Sequence, residues 1–475
     1  MIAQPRKFLS VLAISLMTVA AVVSLRGLPM LAKEGLAMLF YIGFSTIFFL
    51  LPASFVAAEL GSAFSNSKGG VYTWVKAAFG ARWGFLAIWL QWIQNVVWYP
   101  VTLAFAAGSI AYLLFEPALA DAGWYNAFII IAVYWLSTLL TLRGVHIQAK
   151  VTNWLLIRGT ILPGAIIIGL GIAWIAGGNP VQLLTAKSSA AAGGFLPDFT
   201  SLSSLSFLAG ILLLFAGVEV QAVHASEMKN PQSGFARAMF LALAIIIVLF
   251  TLGTLAVAVV VPASEISLAA GLMQAFQSLL KRFGLEALLP VMGLLTAMGA
   301  VGGVMAWIGG PSRGLLQTAQ DGDLPPFFSR TNRHGIQRNI LLIQGSIVTL
   351  LASLYLIMSN VSAAMYAISA MTISLYLVMY VLMYAAAIRL RYSRPDLERK
   401  YRVPGGLAGM WIIAGIGLLA VLFSLVLSFV PPNVLQMGGP ATYVSMVATG
   451  LIVFIGIALL IFSRRKPNWV RPPSD

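Results

Sequence analysis

Cysteine is absent from the chain, so disulfides, thiolate metal sites and redox centres are excluded at the outset. Histidine is nearly as scarce: His146, His224 and His334 are the three present, and their wide spacing argues against a metal site. Charge is sparse, with 9% charged residues against 60% hydrophobic ones and a mean hydropathy of +0.93. No water-soluble core absorbs that usage. No nucleophile–base constellation, metal cluster or phosphate loop can be assembled from these residues, so neither an enzyme nor a bound cofactor is expected.

What the chain has instead is apolar runs, each long enough to cross roughly 30 Å of hydrocarbon. Reading them between polar or Gly/Pro punctuation places spans near 8–32, 36–60, 84–114, 124–143, 151–176, 203–227, 235–261, 288–317, 339–358, 363–390, 408–430 and 441–463. The first run follows Arg6-Lys7 and has the look of a secretory signal. It continues into Ser24-Leu25-Arg26-Gly27-Leu28-Pro29 with no clear cleavage site, so it is read as a retained helix. The expected class is an all-α integral membrane protein of about twelve helices, with residues 1–463 as one transmembrane domain and 464–475 as a short basic tail.

The net charge of +15 would suggest nucleic acid in a soluble protein, but here it must first be sorted by membrane side. If the N-terminus, the even-numbered loops and the tail are cytoplasmic, all Lys and Arg residues fall on that side except Arg26, Lys33, Lys187, Lys281 and Arg282. The clusters at 389–402 and 464–471 then read as positive-inside anchors, and no nucleic-acid partner is needed. The lipid bilayer is the partner, and a bacterial inner membrane with both termini cytoplasmic is the expected location.

The informative places are helices that break in mid-membrane. The first span carries Arg26, Gly27 and Pro29, and the sixth carries Phe215-Ala216-Gly217-Val218-Glu219. Two interrupted helices at matching positions point to an inverted repeat of five plus five helices, about 8–176 and 203–390, followed by two extra helices over 408–463. Unwound backbone in lipid must be buried in protein or line a wet cavity, and that cavity is the expected substrate site. Half-helix N-termini suit a carboxylate and exposed carbonyl ends suit an ammonium, so amino acids or related amines are the expected substrates.

Ser24, Arg26, Gly27, Ala216, Gly217 and Glu219 are therefore candidate binding residues. Two readings of the charges stand open: Arg26 faces the cavity and attracts an anionic substrate group, or Arg26 and Glu219 neutralise one another across the breaks. Glu219 is also a candidate for proton coupling, alongside a purely structural hydrogen-bonding role. Arg158 is either a fixed cation or a side chain reaching back to the surface. Trp307 and the pair Tyr376 and Tyr380, four apart on one helix face, are amphipathic rings at pocket depth. The segment Ser67 to Gly80, with paired glycines and spaced aromatics, suggests an interfacial helix at an inner gate.

At these residues the chain resembles the amino acid–polyamine–organocation superfamily and, within it, the bacterial glutamate/GABA antiporters. The resemblance runs through all twelve spans and is most specific at Gly69-Gly70-Val71-Tyr72-Thr73-Trp74-Val75, at Gly217-Val218-Glu219 with Glu227-Met228 and Asn230-Pro231, and at Trp307-Ile308 with Gly310-Pro311-Ser312-Arg313-Gly314. It implies a LeuT-like fold and alternating access without Na⁺, with Trp307, Tyr376 and Tyr380 in the pocket. Three departures stand out: Arg26-Gly27 in the first break, Gly303 where the resemblance implies an acid, and no long C-terminal plug. The expected function is amino acid antiport. Proton-coupled uptake is the alternative, and a non-transporting sensor or channel the alternative of another class.

Overall fold

The computed structural model describes residues 9–184, 194–197, 199, 202–266, 271–357, 361–430 and 440–469, with 202–207, 361–370 and 440 described by backbone alone. Arg6-Lys7, Lys187 and Arg471 of the charge pattern lie outside these. Ten described helices are long and apolar enough to cross a membrane. The expected first and sixth spans supply two more, each as a pair of shorter pieces.

The first is α1, Val11–Val22, and α2, Gly27–Ala32, separated by the non-helical stretch 23–26. The break falls just ahead of Gly27 and Pro29, not upon them. Pro29 sits in the first turn of α2, where a missing N–H costs no intrahelical bond. Then come α3, Ala37–Ala63; α4, Val71–Phe79; α5, Ala81–Leu113; α6, Gly123–Thr141; and α7, Val145–Ala176. The sixth span is α8, Leu202–Leu214, a break at 215–219, and a 3₁₀ segment Val220–Glu227. The second half continues with α9, Pro231–Val260; α10, Gly271–Arg282; α11, Leu289–Gln320; α12, Arg338–Ile357; α13, Val361–Ser393; α14, Gly406–Leu427; and α15, Pro440–Ser463.

Two spans carry a π turn, and proline explains both. Pro52 in α3 and Pro163 in α7 have no N–H to give the carbonyl four residues back, so the chain widens by one residue at Thr46–Leu50 and Ile157–Ile161. In α7 this pushes the backbone of Gly159 onto α11: a Cβ on Gly159 would lie 2.0 Å from the Gly299 nitrogen, and one on Gly299 would lie 2.2 Å from the Gly159 oxygen. Only a pair of glycines permits that approach.

α5 packs along α11 and α13, and α9 packs against α1, α3 and α7. The chain entering α1 pairs with the end of the sixth span, where Leu9 N–H donates to the Glu227 carbonyl (3.0 Å) and Lys229 N–H to the Leu9 carbonyl (3.2 Å). This marks one end of the bundle, which also collects the described basic clusters. There Glu59 of α3 is buried beneath two guanidiniums. Arg391 binds it through Nε and a second nitrogen (2.8 and 2.6 Å), Arg399 lies 3.1 Å away, and the Val403 N–H donates at 2.7 Å. Arg158, by contrast, is exposed and stacks on Trp154, so it lies at the surface of α7.

Removing Glu59 strands one buried cation, Arg399, and one half-buried one, Arg391. Glu59→Ala is expected to cost about 3–5 kcal/mol, read as a large fall in the melting temperature of the detergent-solubilised protein, with Glu59→Gln losing less.

Candidate functional site

The two breaks face each other across one cavity. Its lining comes from residues 20–26 at the end of α1 and in the first break, Leu213 and Leu214 at the end of α8, Ala216 of the second break, and a face of α5 made of Gln94, Asn95, Trp98, Thr102 and Phe105. Gly159 and Thr160 of α7, Thr296, Gly299, Ala300, Gly303 and Trp307 of α11, and Tyr376 of α13 complete it. Arg26 is the sole charged residue among these described lining residues.

Trp307 holds the two breaks in register. Its indole N–H donates to the Ala21 carbonyl at the end of α1 (2.7 Å), one of the acceptors a helix terminus leaves free. Its ring edge lies against Gly217 of the other break. Gly217 has φ of +119°, and a Cβ there would be 2.7 Å from the tryptophan ring and 3.5 Å from the Ala21 carbonyl. The position thus requires glycine on two counts, backbone conformation and contact.

Glu219 is buried behind this surface. Gln91 donates to it at 2.8 Å and the hydroxyls of Tyr376 and Tyr380 each donate at 2.5 Å. The Tyr380 oxygen in turn accepts the Gly217 N–H at 2.9 Å, so the loose backbone of the break is tied through one tyrosine to its own carboxylate. Trp98, Trp307, Tyr376 and Tyr380 continue as a series of rings with centroids 6.2, 5.8 and 4.9 Å apart, the middle pair edge-on and the outer two tilted. Three neutral donors satisfy Glu219, and among the described residues no ion pair joins it to Arg26.

Of the residues expected from sequence, Ser24, Arg26, Ala216, Trp307 and Tyr376 line the cavity, while Gly217, Glu219 and Tyr380 form the lattice directly behind it. Gly27 is set apart. As the first residue of α2 it packs on Phe250 and Leu214, which a Cβ would approach to 3.1 and 3.2 Å, and it is not among the lining residues. Gly303 does line the cavity, with the Ala20 carbonyl 3.2 Å from where its Cβ would stand. Sequence reasoning missed the face of α5. Gln91, Gln94, Asn95, Trp98, Thr102 and Phe105 recur at helical spacing within an apolar span, and three amides on one face were the available signal.

The segment 67–80 forms α4 after Gly70, whose φ of +53° turns the chain. Its Tyr72 hydroxyl donates to Asp321 (2.8 Å) and Asp323 (3.0 Å), Lys76 pairs with Asp321, and Arg465 reaches Asp323 at 3.2 Å. One network therefore joins α4, the end of α11 and the segment after α15.

Ten described membrane-length helices, with two further broken spans that enclose one cavity, fit a membrane transporter. The amino acid permease family model matches residues 9–458. The chain is 38% identical to an uncharacterized transporter of Legionella pneumophila, covering 96% of each chain. It is 34% identical to a glutamate/gamma-aminobutyrate antiporter of Lactococcus lactis, over 95% of this chain and 90% of the relative, and 25% identical to a probable agmatine/putrescine antiporter of the same species, over 90% and 88%. The chain belongs to the amino acid permease family.

Gly217→Ala tests the double requirement at the second break. It is expected to destabilise the protein by about 1–3 kcal/mol and to abolish transport in the fraction that remains folded, measured by melting temperature and by uptake into proteoliposomes.

Proposed function

We propose that the protein is an amino acid antiporter of the glutamate/GABA exchanger type, working by alternating access at the cavity between the two breaks. The observation that carries this reading is the pairing of unwound backbone at both breaks with one lining cation, Arg26, and no lining carboxylate among the described residues. Carbonyls at the end of α1 suit the substrate ammonium, and the N–H groups after each break suit a carboxylate. Arg26 draws the substrate's anionic end and disfavours a second cationic group. Relatives of similar length exchange glutamate with gamma-aminobutyrate by name, and both molecules have an amine and a distal carboxylate.

Proton-coupled uptake is the second reading, and the buried carboxyl of Glu219 within the break is what favours it. In the antiport reading Glu219 is an anchor for Gln91, Tyr376 and Tyr380, and the inner membrane is the site of action, with the basic end of the bundle facing the cytoplasm.

The network of α4 with Asp321 is then an inner gate. Burial by itself would raise the Asp321 carboxyl, but hydrogen bonds from Lys76, Tyr72 and Gln317 hold it below its ordinary range. A depressed carboxyl contributes its stabilisation fully above the unfolded value, near about 3.9, and loses it as pH falls through the lower folded value. Closure by this contact is therefore expected to be constant between about pH 5 and 8, and a gate-limited exchange rate that changes steeply within that window would contradict it.

Counterflow in proteoliposomes tests the exchange itself. Loading glutamate, GABA, glutamine, arginine or neutral amino acids in turn, labelled glutamate should enter faster against one or a few internal substrates, and Arg26→Ala should lose acidic substrates while sparing neutral ones. Entry indifferent to every internal load but dependent on an imposed proton gradient would replace antiport by proton symport. Equal loss of acidic and neutral substrates in Arg26→Ala would reject the role given to Arg26.

A further inference from the structure

Lys281 and Arg282 stand at the end of the bundle opposite the basic clusters. α11 runs from Leu289 to the pairing of Asp321 with Lys76 at the basic end, so its start and the preceding α10 lie at the far end. α10 is amphipathic: Leu272, Phe276, Leu279 and Leu280 are buried, while Gln277, Ser278, Lys281 and Arg282 are exposed. Gly284, with φ of +66°, closes the helix, and the Leu285 N–H donates back to the Leu280 carbonyl at 2.8 Å. Glycine thus does the capping, and the two cations are not needed for it. Among the described residues neither pairs with a carboxylate; Glu286, the next acid along the chain, is exposed and bridges to neither. Arg282 instead donates through Nε to the Asn179 side-chain oxygen at 2.8 Å, which fixes its guanidinium beside the end of α7.

Below this pair the two long spans part. α7 and α11 touch at Gly159 and Gly299 and stay packed over residues 145–161, but meet sparsely over 162–176. α10 lies against both where they separate. On the outward faces Ile172 and Ile175 of α7 and Val291 and Leu294 of α11 are exposed, and since both helices span the bilayer these side chains face hydrocarbon. Phe283 and Leu288, on either side of the turn from α10 into α11, are exposed as well. Two unopposed cations directly above an apolar wall are the complement of a phosphate above an acyl chain. A free anion would meet the charges and leave the wall unused. A zwitterionic headgroup would bring its own cation toward the pair.

We propose that Lys281 and Arg282 form a binding site for an anionic phospholipid, of which phosphatidylglycerol is the simplest, in the leaflet that meets this end of the bundle. The phosphate accepts from the Lys281 ammonium and from the terminal nitrogens of Arg282, and an acyl chain lies along the outward faces of α7 and α11. Bound there, the lipid braces α10 against the end of α7 through the Asn179 contact. The site also gives a reason for a basic pair on the side where the charge pattern is otherwise nearly bare of Lys and Arg. It is independent of which substrate the protein carries.

Because the chain has no cysteine, Ser278→Cys, one helical turn before Arg282 on the exposed face, places a single fluorophore beside the site in the full-length protein. The labelled protein is reconstituted in phosphatidylcholine nanodiscs, and quenching is followed as phosphatidylglycerol or phosphatidylcholine with a nitroxide on the acyl chain is added. Half-quenching is expected at about a tenfold lower mole fraction for phosphatidylglycerol. That ratio should fall about threefold in Lys281→Gln, which breaks no described side-chain bond, and to about one when Arg282→Gln is added. Arg464→Gln with Lys466→Gln, at the basic end, should leave it unchanged. Melting temperatures close to wild type show that the variants fold. Equal quenching by the two lipids in the unsubstituted site, a ratio kept by the double variant, or an equal fall in the basic-end variant would overturn the site. So would loss of the preference in excess inorganic phosphate at matched ionic strength, which would assign the pair to a free anion.

Discussion

The indole of Trp307 is the contact on which the site depends. A helix interrupted within a membrane leaves carbonyl and N–H groups that lipid cannot satisfy, and each break needs partners from the protein. Trp307 reaches the Ala21 carbonyl of the first break while its ring fills the space that glycine leaves at position 217 of the second. One side chain thus fixes the distance between the two segments that enclose the cavity. Tyr380 extends the arrangement by accepting the Gly217 N–H and donating to Glu219.

Seen from that contact, the remaining architecture is a set of supports. The π turn ahead of Pro163 brings α7 onto α11 through Gly159 and Gly299, which places α11 close enough for Trp307 to reach α1. α5 and α13 supply Gln91, Tyr376 and Tyr380, so the buried carboxylate of Glu219 ties the second break to two continuous helices with neutral donors. At the basic end Glu59 meets Arg391 and Arg399, and Asp321 meets Lys76. Among the described lining residues the cavity between the breaks holds one cation and an otherwise uncharged, largely apolar wall, a setting in which a bound zwitterion meets little competing charge.

Much of this was legible in the sequence for a physical reason: the period and length of apolar runs are set by the bilayer, and a glycine beside an acid or proline within such a run has few structural uses. The breaks at the first and sixth spans were found that way, whereas Trp307 and Tyr376 were expected in the cavity wall from the family resemblance. Pro29 was assigned to the break although it opens α2, because composition alone does not distinguish a helix stop from a helix start a few residues on. The partners of Glu219 were not legible. They lie 128, 157 and 161 residues away in the chain, and which of several buried polar groups meet depends on how each helix is rotated against its neighbours. Gln91, Gln94 and Asn95 carried the signal for α5, but one amide-bearing helix face does not reveal what it faces.

The central claim is that the space between the two breaks is a substrate site open to each side of the membrane in turn. The native chain has no cysteine, so a single Ala300→Cys substitution in the cavity wall reports on that space alone. The account predicts that membrane-impermeant thiol reagents modify this residue in proteoliposomes, from the outside and from reagent trapped inside, and that glutamate or 4-aminobutyrate slows both reactions. Modification from one side only, at a rate unchanged by any amino acid, would contradict it.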